Sequence, residues 1–352
     1  MNLILHHNDP DGWCGGYLIR QYVKELSEDY TMIECTYGDE FNISLLPFSI
    51  AVLKVNSNEY NITAADHIWI VDFSLEKDIM VAINDFTTLI WIDHHPSAIK
   101  KVGELDCYGI QTDAQKNYSG CELAWIFLYF LRLQHDLKQT TDFLQDNCPS
   151  LYAVIPDQIS IKDKVPKYIT LIGDYDTWRW AQPDFKRNVN AVERFQYGIR
   201  YHHSDKDWFI WDSLANPIYE ISTLNQINKN GYLLLHFAKQ ANKGMVKQRA
   251  WKSKKCFSIT SNIYADLILM DGPSGSLTWG DLIDEYPGTI FISYTHLGDR
   301  FKFSACSKAN TNVRKLAEEY GGGGHDLAAG FHNETIPFRF EGKLFENKFT
   351  LW

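Results

Sequence analysis

Short apolar runs that stop at acidic or imidazole side chains, each leading toward a helix-forming stretch, constrain this chain more than any other feature. Asn2 to His6 is one such run. It ends in His7-Asn8-Asp9-Pro10-Asp11-Gly12, a polar turn sequence, and a helix is expected from Gly12 to Leu26. Ile68 to Phe73 carries Asp72 near its end, with a helix expected over Leu75 to Phe86, and Thr88 to Ile92 runs into Asp93-His94-His95. A fourth stretch, Tyr168 to Ile172, leads to Asp174 and Asp176 and is expected to be a further strand. Continuous apolar runs suit strands covered on both faces, and their alternation with helices predicts a doubly wound, mainly parallel α/β sheet. Ligands of such sheets sit beyond the carboxyl ends of the strands. All of these polar groups would therefore meet at one edge.

The remaining chain divides less sharply. Ser119-Gly120-Cys121-Glu122 has the spacing of a capping box and should open a helix reaching about Leu133. From Asp184 to Leu214 the pattern weakens, and a long helix is expected over Tyr219 to Ala250. Strand-like runs follow at Asp266 to Met270, Thr289 to Tyr294 and Phe301 to Cys306. A helix is expected from Val313 to Tyr320, just before Gly321-Gly322-Gly323-Gly324-His325. With 352 residues the chain is long enough for two domains. The expected division is 1–185 for the metal-binding domain, 186–250 for a linker with the long helix, and 251–352 for a smaller α/β domain, with a cleft between the two.

A net charge of −10 opposes gripping long duplex nucleic acid by its phosphates, yet it leaves room for a small anion drawn to bound cations. Hydrophobic residues make up 45% of the chain, in runs too short to span a bilayer. Charges interrupt the first apolar run too early for a secretory signal. No membrane association and a cytoplasmic location are the expectations. Seven cysteines without a CxxC pair indicate neither a disulfide framework nor a four-thiolate zinc site.

Carboxylates crowded into one pocket raise one another's pKa unless cations compensate them. Mixed carboxylate and imidazole ligation suits Mn²⁺ or Mg²⁺, and two such ions can activate water and stabilise charge at phosphorus. Each segment alone has a plainer explanation. Asp-Pro-Asp-Gly is a strong turn, an aspartate after a strand often caps a helix, and glycines often follow a helix. Their occurrence in order, each after its own strand or helix, favours the metal site.

His7-x-Asp9-x-Asp11-Gly12, Asp72, Asp93-His94-His95, Asp176 and the glycine run with His325-x-x-Ala-Ala-Gly330 together resemble the DHH phosphoesterase superfamily, in the branch with a DHHA1 C-terminal domain. The motifs span residues 7 to 330. That family includes oligoribonucleases, pAp phosphatases, cyclic-dinucleotide phosphodiesterases and single-strand exonucleases, with pyrophosphatases and polyphosphatases more distant. The resemblance implies two divalent cations, Mn²⁺ in the first instance with Mg²⁺ as the other choice. His7 and Asp9 would hold one, Asp11, His94 and Asp176 the other, and Asp72 would bridge them. Asp174 is the alternative to Asp176. Asp93 would orient the histidines, His95 would stabilise the phosphate, and Gly322, Gly323, Gly324 and His325 would bind substrate. Many relatives carry an arginine where this chain has Cys306; Arg300, Lys302, Lys308 and Arg314 are the candidates to replace it.

A hydrolase cutting short single-stranded oligonucleotides or linear dinucleotides to mononucleotides is the leading expectation. A phosphomonoesterase or phosphoanhydride hydrolase on pAp, pyrophosphate or polyphosphate is the alternative, and a catalytically silent nucleotide-binding protein ranks third. A homodimer is compatible with the sequence. Trp178, Trp180, Trp208 and Trp211 suit packing better than base stacking, whereas Trp13, beside the first motif, is the better stacking candidate. His202-His203 suits a structural pair. The basic run from Lys247 to Lys255 suits a solvated helix end.

Overall fold

The first strand, β1 (Asn2–His7), leads into helix α1 (Pro10–Glu25) and then β2 (Tyr30–Cys35). Three antiparallel strands follow, β3 (Phe41–Leu46), β4 (Ile50–Val55) and β5 (Asn58–Thr63). The chain continues through β6 (His67–Val71), α2 (Lys77–Phe86), β7 (Thr88–Asp93), α3 (Pro96–Val102), β8 (Tyr108–Gln111) and α4 (Gly120–His135). Helices α5 (Lys167–Asp176), α6 (Val189–His203), α7 (Phe209–Ala215) and the long α8 (Glu220–Arg249) come next. This computed structural model describes residues 1–47, 49–112, 118–135, 164–182, 185–203, 208–253, 257–260, 263–265, 267–272, 278–279, 282–286, 288–308, 312–338 and 340–343.

The chain divides into two compact units, Met1–Gly231 and Tyr232–Trp352, and the division falls inside α8. In the first unit five strands pair in the order β2-β1-β6-β7-β8, all parallel. Side chains alternate across this sheet with the two-residue period of a strand. Ile4, Trp69, Val71, Ile90 and Ile92 face the core formed with α1, α4 and α5. Leu3, Leu5, Ile68, Ile70, Leu89 and Trp91 face the opposite core, with Met80 and Ile83 of α2 and Ala51, Leu53 and Val55 of β4. The parallel, doubly wound architecture expected from the apolar runs is therefore present. The chain moves from β1 outward to β2, then returns past β1 to β6 and continues the other way to β7 and β8, which places a topological switch point beside β1.

Tyr168 to Ile172, expected as a strand, lies instead in α5. Tyr168, Ile169, Leu171 and Ile172 are buried, the spacing of one helical face. Five apolar residues are too few to separate helix from strand by period alone, and here contacts with α1 and α4 decide. Within 186–231, α6 and α7 bury Val192, Phe195, Ile199, Trp211 and Leu214 in the same core as α1. The buried face of α6 also includes Glu193 and Gln196, which hides its apolar period in the sequence.

The second unit holds β9 (Trp251–Ser253), the hairpin β10 (Phe257–Thr260) and β11 (Ile263–Ala265), β12 (Leu267–Asp271), a short α9 (Leu282–Glu285) and β13 (Ile290–His296). It ends with β14 (Phe301–Cys306), α10 (Val313–Glu319), β15 (Gly323–Gly324), β16 (Ala328–Asn333) and β17 (Phe340–Lys343). Its seven-stranded sheet has the order β15-β16-β14-β13-β12-β9-β17, and only β12 and β13 pair in parallel. Val313, Leu316 and Ala317 of α10 cover Phe303, Ala305 and Phe331. Among the described residues no helix is long and apolar enough to cross a membrane.

Candidate metal centre

The edge beyond β1, β6 and β7 collects the charged residues through three local devices. After β1, Asp9 caps α1: its Oδ1 accepts a hydrogen bond from Gly12 N at 2.9 Å, and Pro10 enters the first turn without needing a donor. A Cβ on Gly12 would lie 2.2 Å from the His7 carbonyl oxygen, so only glycine lets the helix start this close to its strand. After β6, Asp72 adopts φ +56, a left-handed conformation that aspartate tolerates better than most residues. Its N–H still bonds the Ile92 carbonyl at 2.8 Å, which anchors the turned residue to β7. After β7, one oxygen of Asp93 accepts from His94 N at 2.7 Å, His95 N at 3.1 Å and His95 Nδ1 at 2.8 Å. Ser74 donates to its other oxygen.

These turns, together with the end of α5, bring His7, Asp9, Asp11, Asp72, His94 and Asp176 into one cluster. Asp9 Oδ2 lies 2.9 Å from His7 Nδ1, and Asp72 Oδ2 lies 3.8 Å from the same nitrogen. His94 Nε2 faces three carboxylates, Asp72 at 3.0 Å, Asp176 at 3.2 Å and Asp11 at 3.6 Å. Two of the sets of groups spaced to hold an ion are His7 with Asp9 and Asp72, and Asp11 with Asp72 and His94. Asp72 belongs to both. It is fully buried, and its Oδ2 accepts no hydrogen bond among the described residues.

The protonation balance follows from this crowding. Burial, then the Asp11 and Asp9 carboxylates, push Asp72 well above the usual carboxylate range. Burial and Asp11 do the same to Asp176. His7 is held well above its ordinary value: burial works against its charge, but Asp9 and Asp72 outweigh it. Burial works to raise Asp9 as well, but His7 and the Gly12 N–H overcome it and move that carboxyl down. Burial raises Asp93 less than His95 and His94 lower it, so it is held below the usual range. An ionised Asp93 places the His95 proton on Nδ1.

Asp11 is also fixed from outside the motif. Its oxygens accept from Gly120 N at 2.6 Å and Cys121 N at 2.9 Å, the first donors of α4, where the helix dipole favours an anion. A Cβ on Gly120 would lie 2.6 Å from the Asp72 Cβ, so this glycine lets α4 reach the cluster. The expected capping box forms, with Ser119 N donating to Glu122 at 3.0 Å and Glu122 N to the Ser119 hydroxyl at 3.4 Å. Arg179 then makes a two-pronged pair with Glu122 at 2.7 and 2.8 Å and bonds Asp174 at 2.8 Å. Arg187 also pairs with Asp174. Asp174 is thus held by arginines, and Asp176 is the aspartate beside His94. Gly120, Arg179 and Tyr37, whose ring stands 5.4 Å from that of His7, escaped the sequence reading. The Ser-Gly-Cys-Glu spacing could have pointed to Gly120; nothing local marks the other two.

Other singled-out residues belong to packing. Trp13, the stacking candidate, is buried and lies flat on His203 at 3.8 Å and 21°, so that expectation is corrected. Trp211 Nε1 donates to His203 Nδ1 at 3.2 Å, and Asn230 contacts His202 at 3.0 Å. Trp178 and Trp180 stack on each other at 5.3 Å, and Trp208 stacks on Tyr17 at 6.1 Å. Lys247 and Arg249 end α8; Lys254 and Lys255 lie outside the described residues.

In the second unit, Gly323 and Gly324 form β15 against β16, and a tight turn joins His325 N to the Ala328 carbonyl at 2.7 Å. A Cβ on Gly322 would meet the Gly330 carbonyl oxygen at 2.1 Å, so backbone packing requires glycine at that position. Cys306 is buried, and burial pushes its thiol far up. Arg314 is paired with Asp326 at 3.0 Å, Arg300 lies 3.9 Å from Asp299, and Lys302 stands opposite His332.

No family model matches the sequence, and no curated protein matches it. Solved structures do. The DHH domain of a member of a ribosomal-protein family aligns with TM-score 0.51 at 11% identity, over 96% of this chain and 82% of that one. RecJ from Thermus thermophilus, in complex with Mn²⁺, aligns with TM-score 0.45 at 13% identity, over 94% of this chain and 49% of that one. An exopolyphosphatase-related protein from Bacteroides fragilis aligns with TM-score 0.42 at 14% identity, over 95% and 87%. The chain has the fold of a DHH-domain protein, which the first of these carries.

Proposed function

We propose that this protein is a metal-dependent phosphoesterase of the DHH/DHHA1 kind, cutting short single-stranded oligonucleotides or linear dinucleotides to mononucleotides. One observation carries the reading: two ion-competent sets of side chains share the buried Asp72, which has an oxygen that accepts no hydrogen bond among the described residues. A buried carboxylate left so poorly paired is costly, and a cation is the partner that suits it. His7 and Asp9 would hold one ion, Asp11, His94 and Asp176 the other, with Asp72 between them. The mixture of carboxylate and imidazole favours Mn²⁺, then Mg²⁺. Two such ions supply a nucleophile at neutral pH and neutralise charge at phosphorus.

The chain's own groups do the rest. Asp93 fixes the tautomer and orientation of His95, which stabilises the phosphoryl oxygens. The first N–H groups of α4 keep Asp11 in place. His325 and the backbone of Gly322, Gly323 and Gly324 are assigned to substrate phosphate.

The test is a panel of end-labelled dinucleotide, short oligonucleotide, pAp, pyrophosphate and polyphosphate, each with Mn²⁺ and with Mg²⁺. Mononucleotide release from the dinucleotide is the expected result. Hydrolysis of pAp or polyphosphate alone would replace the substrate assignment, and nucleotide binding without turnover of any compound would end the enzymatic reading.

A further inference from the structure

We propose that the Tyr37 hydroxyl is a further catalytic group, donating a hydrogen bond to a non-bridging oxygen of the substrate's phosphoryl group; this rests on the phosphoesterase reading above. Tyr37 lies two residues beyond β2, the strand next to β1 at the carboxyl edge of the sheet. Its ring stands 5.4 Å from His7, 6.1 Å from His95 and 4.8 Å from Phe73. Phe73 in turn stacks on His7 at 6.0 Å and 12°. Three rings therefore hold the phenol between the histidine that ends β1 and the one that follows β7.

The residue is 45% exposed, so it borders the opening of the site to solvent. A phenol hydroxyl is an ordinary O–H donor at neutral pH. A neutral O–H donor fits this place for a simple reason. It can approach a phosphoryl oxygen without adding charge beside ligands that must hold cations. No proton changes hands; the hydrogen bond strengthens as negative charge builds on the phosphoryl oxygens.

Tyr37→Phe removes the hydroxyl and keeps the ring, so the packing on His7, His95 and Phe73 is preserved. The expected result is a fall in kcat of about 10²–10³-fold on the dinucleotide, the size typical of losing one fixed donor to a developing oxyanion. KM, the melting temperature and Mn²⁺ affinity by calorimetry should stay near wild type. Wild-type kcat in Tyr37→Phe overturns the assignment, and so does a loss of Mn²⁺ affinity that accounts for the loss of rate. A wild-type protein inactive on every phosphate ester would overturn the phosphoesterase reading as well, whereas an active wild type with an equally active Tyr37→Phe removes Tyr37 alone.

Discussion

Asp174 and Asp176 are two residues apart on α5, yet they belong to acidic regions built in opposite ways. Asp174 and Glu122 receive Arg179 at 2.7–2.8 Å, with Arg187 as a second guanidinium on Asp174. Each charge in that region has an opposite charge from the protein. Asp176, Asp72 and Asp11 instead surround the single His94 nitrogen, and burial with mutual repulsion lifts Asp72 and Asp176 well above the usual carboxylate range. The first arrangement is charge-balanced by guanidinium groups and ties α5 to α4. The second is the set that, on the proposed reading, holds cations. Spatial closeness of carboxylates therefore says little; what distinguishes the two regions is that arginines face one and imidazoles the other.

The largest effect that could break this contrast is at Asp72. Asp72→Asn should abolish hydrolysis and the stabilisation by Mn²⁺, while raising the melting temperature of the metal-free protein, because a buried repelled carboxyl is replaced by a neutral isostere. Turnover near wild type in that variant, with metal present, would sink the two-ion mechanism. Arg179→Met should lower unfolding free energy by about 3–5 kcal/mol, since Glu122 and Asp174 lose a buried partner. Urea denaturation measures this, and a change near zero would mean that the arginine network is not structural.

The paired aspartates give a sharper comparison. Asp176→Asn should weaken Mn²⁺ binding by at least the roughly 10–100-fold that losing a ligand's hydrogen-bond partner costs, and should raise metal-free stability as Asp72→Asn does, since it too neutralises a buried, repelled carboxyl. Asp174→Asn should instead lower stability and leave Mn²⁺ binding near wild type, and equal effects in calorimetry and denaturation would erase the distinction.

Acidity offers a fourth handle. Asp72, Asp176 and His7 all have raised values in the metal-free fold, so their stabilising contribution is present at low pH and lost as pH rises through those values. Cations replace those protons, and the gain in melting temperature with Mn²⁺ should be larger at about pH 8 than at about pH 6. Asp9 and Asp93, held low, act in the opposite sense, losing stability only as pH falls through their lowered values. The smallest effect is expected at the cap: Ser119→Ala should cost about 0.5–2 kcal/mol and leave substrate preference unchanged.

Much of the site was legible in the amino-acid sequence. The apolar runs ending at His7, Asp72 and Asp93 marked both the parallel sheet and the edge where its polar residues meet, because a strand's length and its end are local properties. Phe301 to Cys306 and the helix after Val313 were legible for the same reason. The strands from β2 to β5 were not, since β3 and β5 bury few side chains and carry weak alternation. Trp13 misled because nearness in sequence to a motif does not say which way a ring turns, and its stacking partner His203 belongs to a helix far along the chain.

By itself the sequence determined which groups could ligate, and that strands would carry His7, Asp72 and His94 to one edge, through turn chemistry and apolar patterning. Only the tertiary structure decided that Asp72 is common to both sets, that Asp176 and not Asp174 stands beside His94, and that α4 and Tyr37 complete the surroundings. Those outcomes depend on burial and on charges brought together from distant segments, and neither the cost of desolvation nor the sign of a neighbour is written in any one segment.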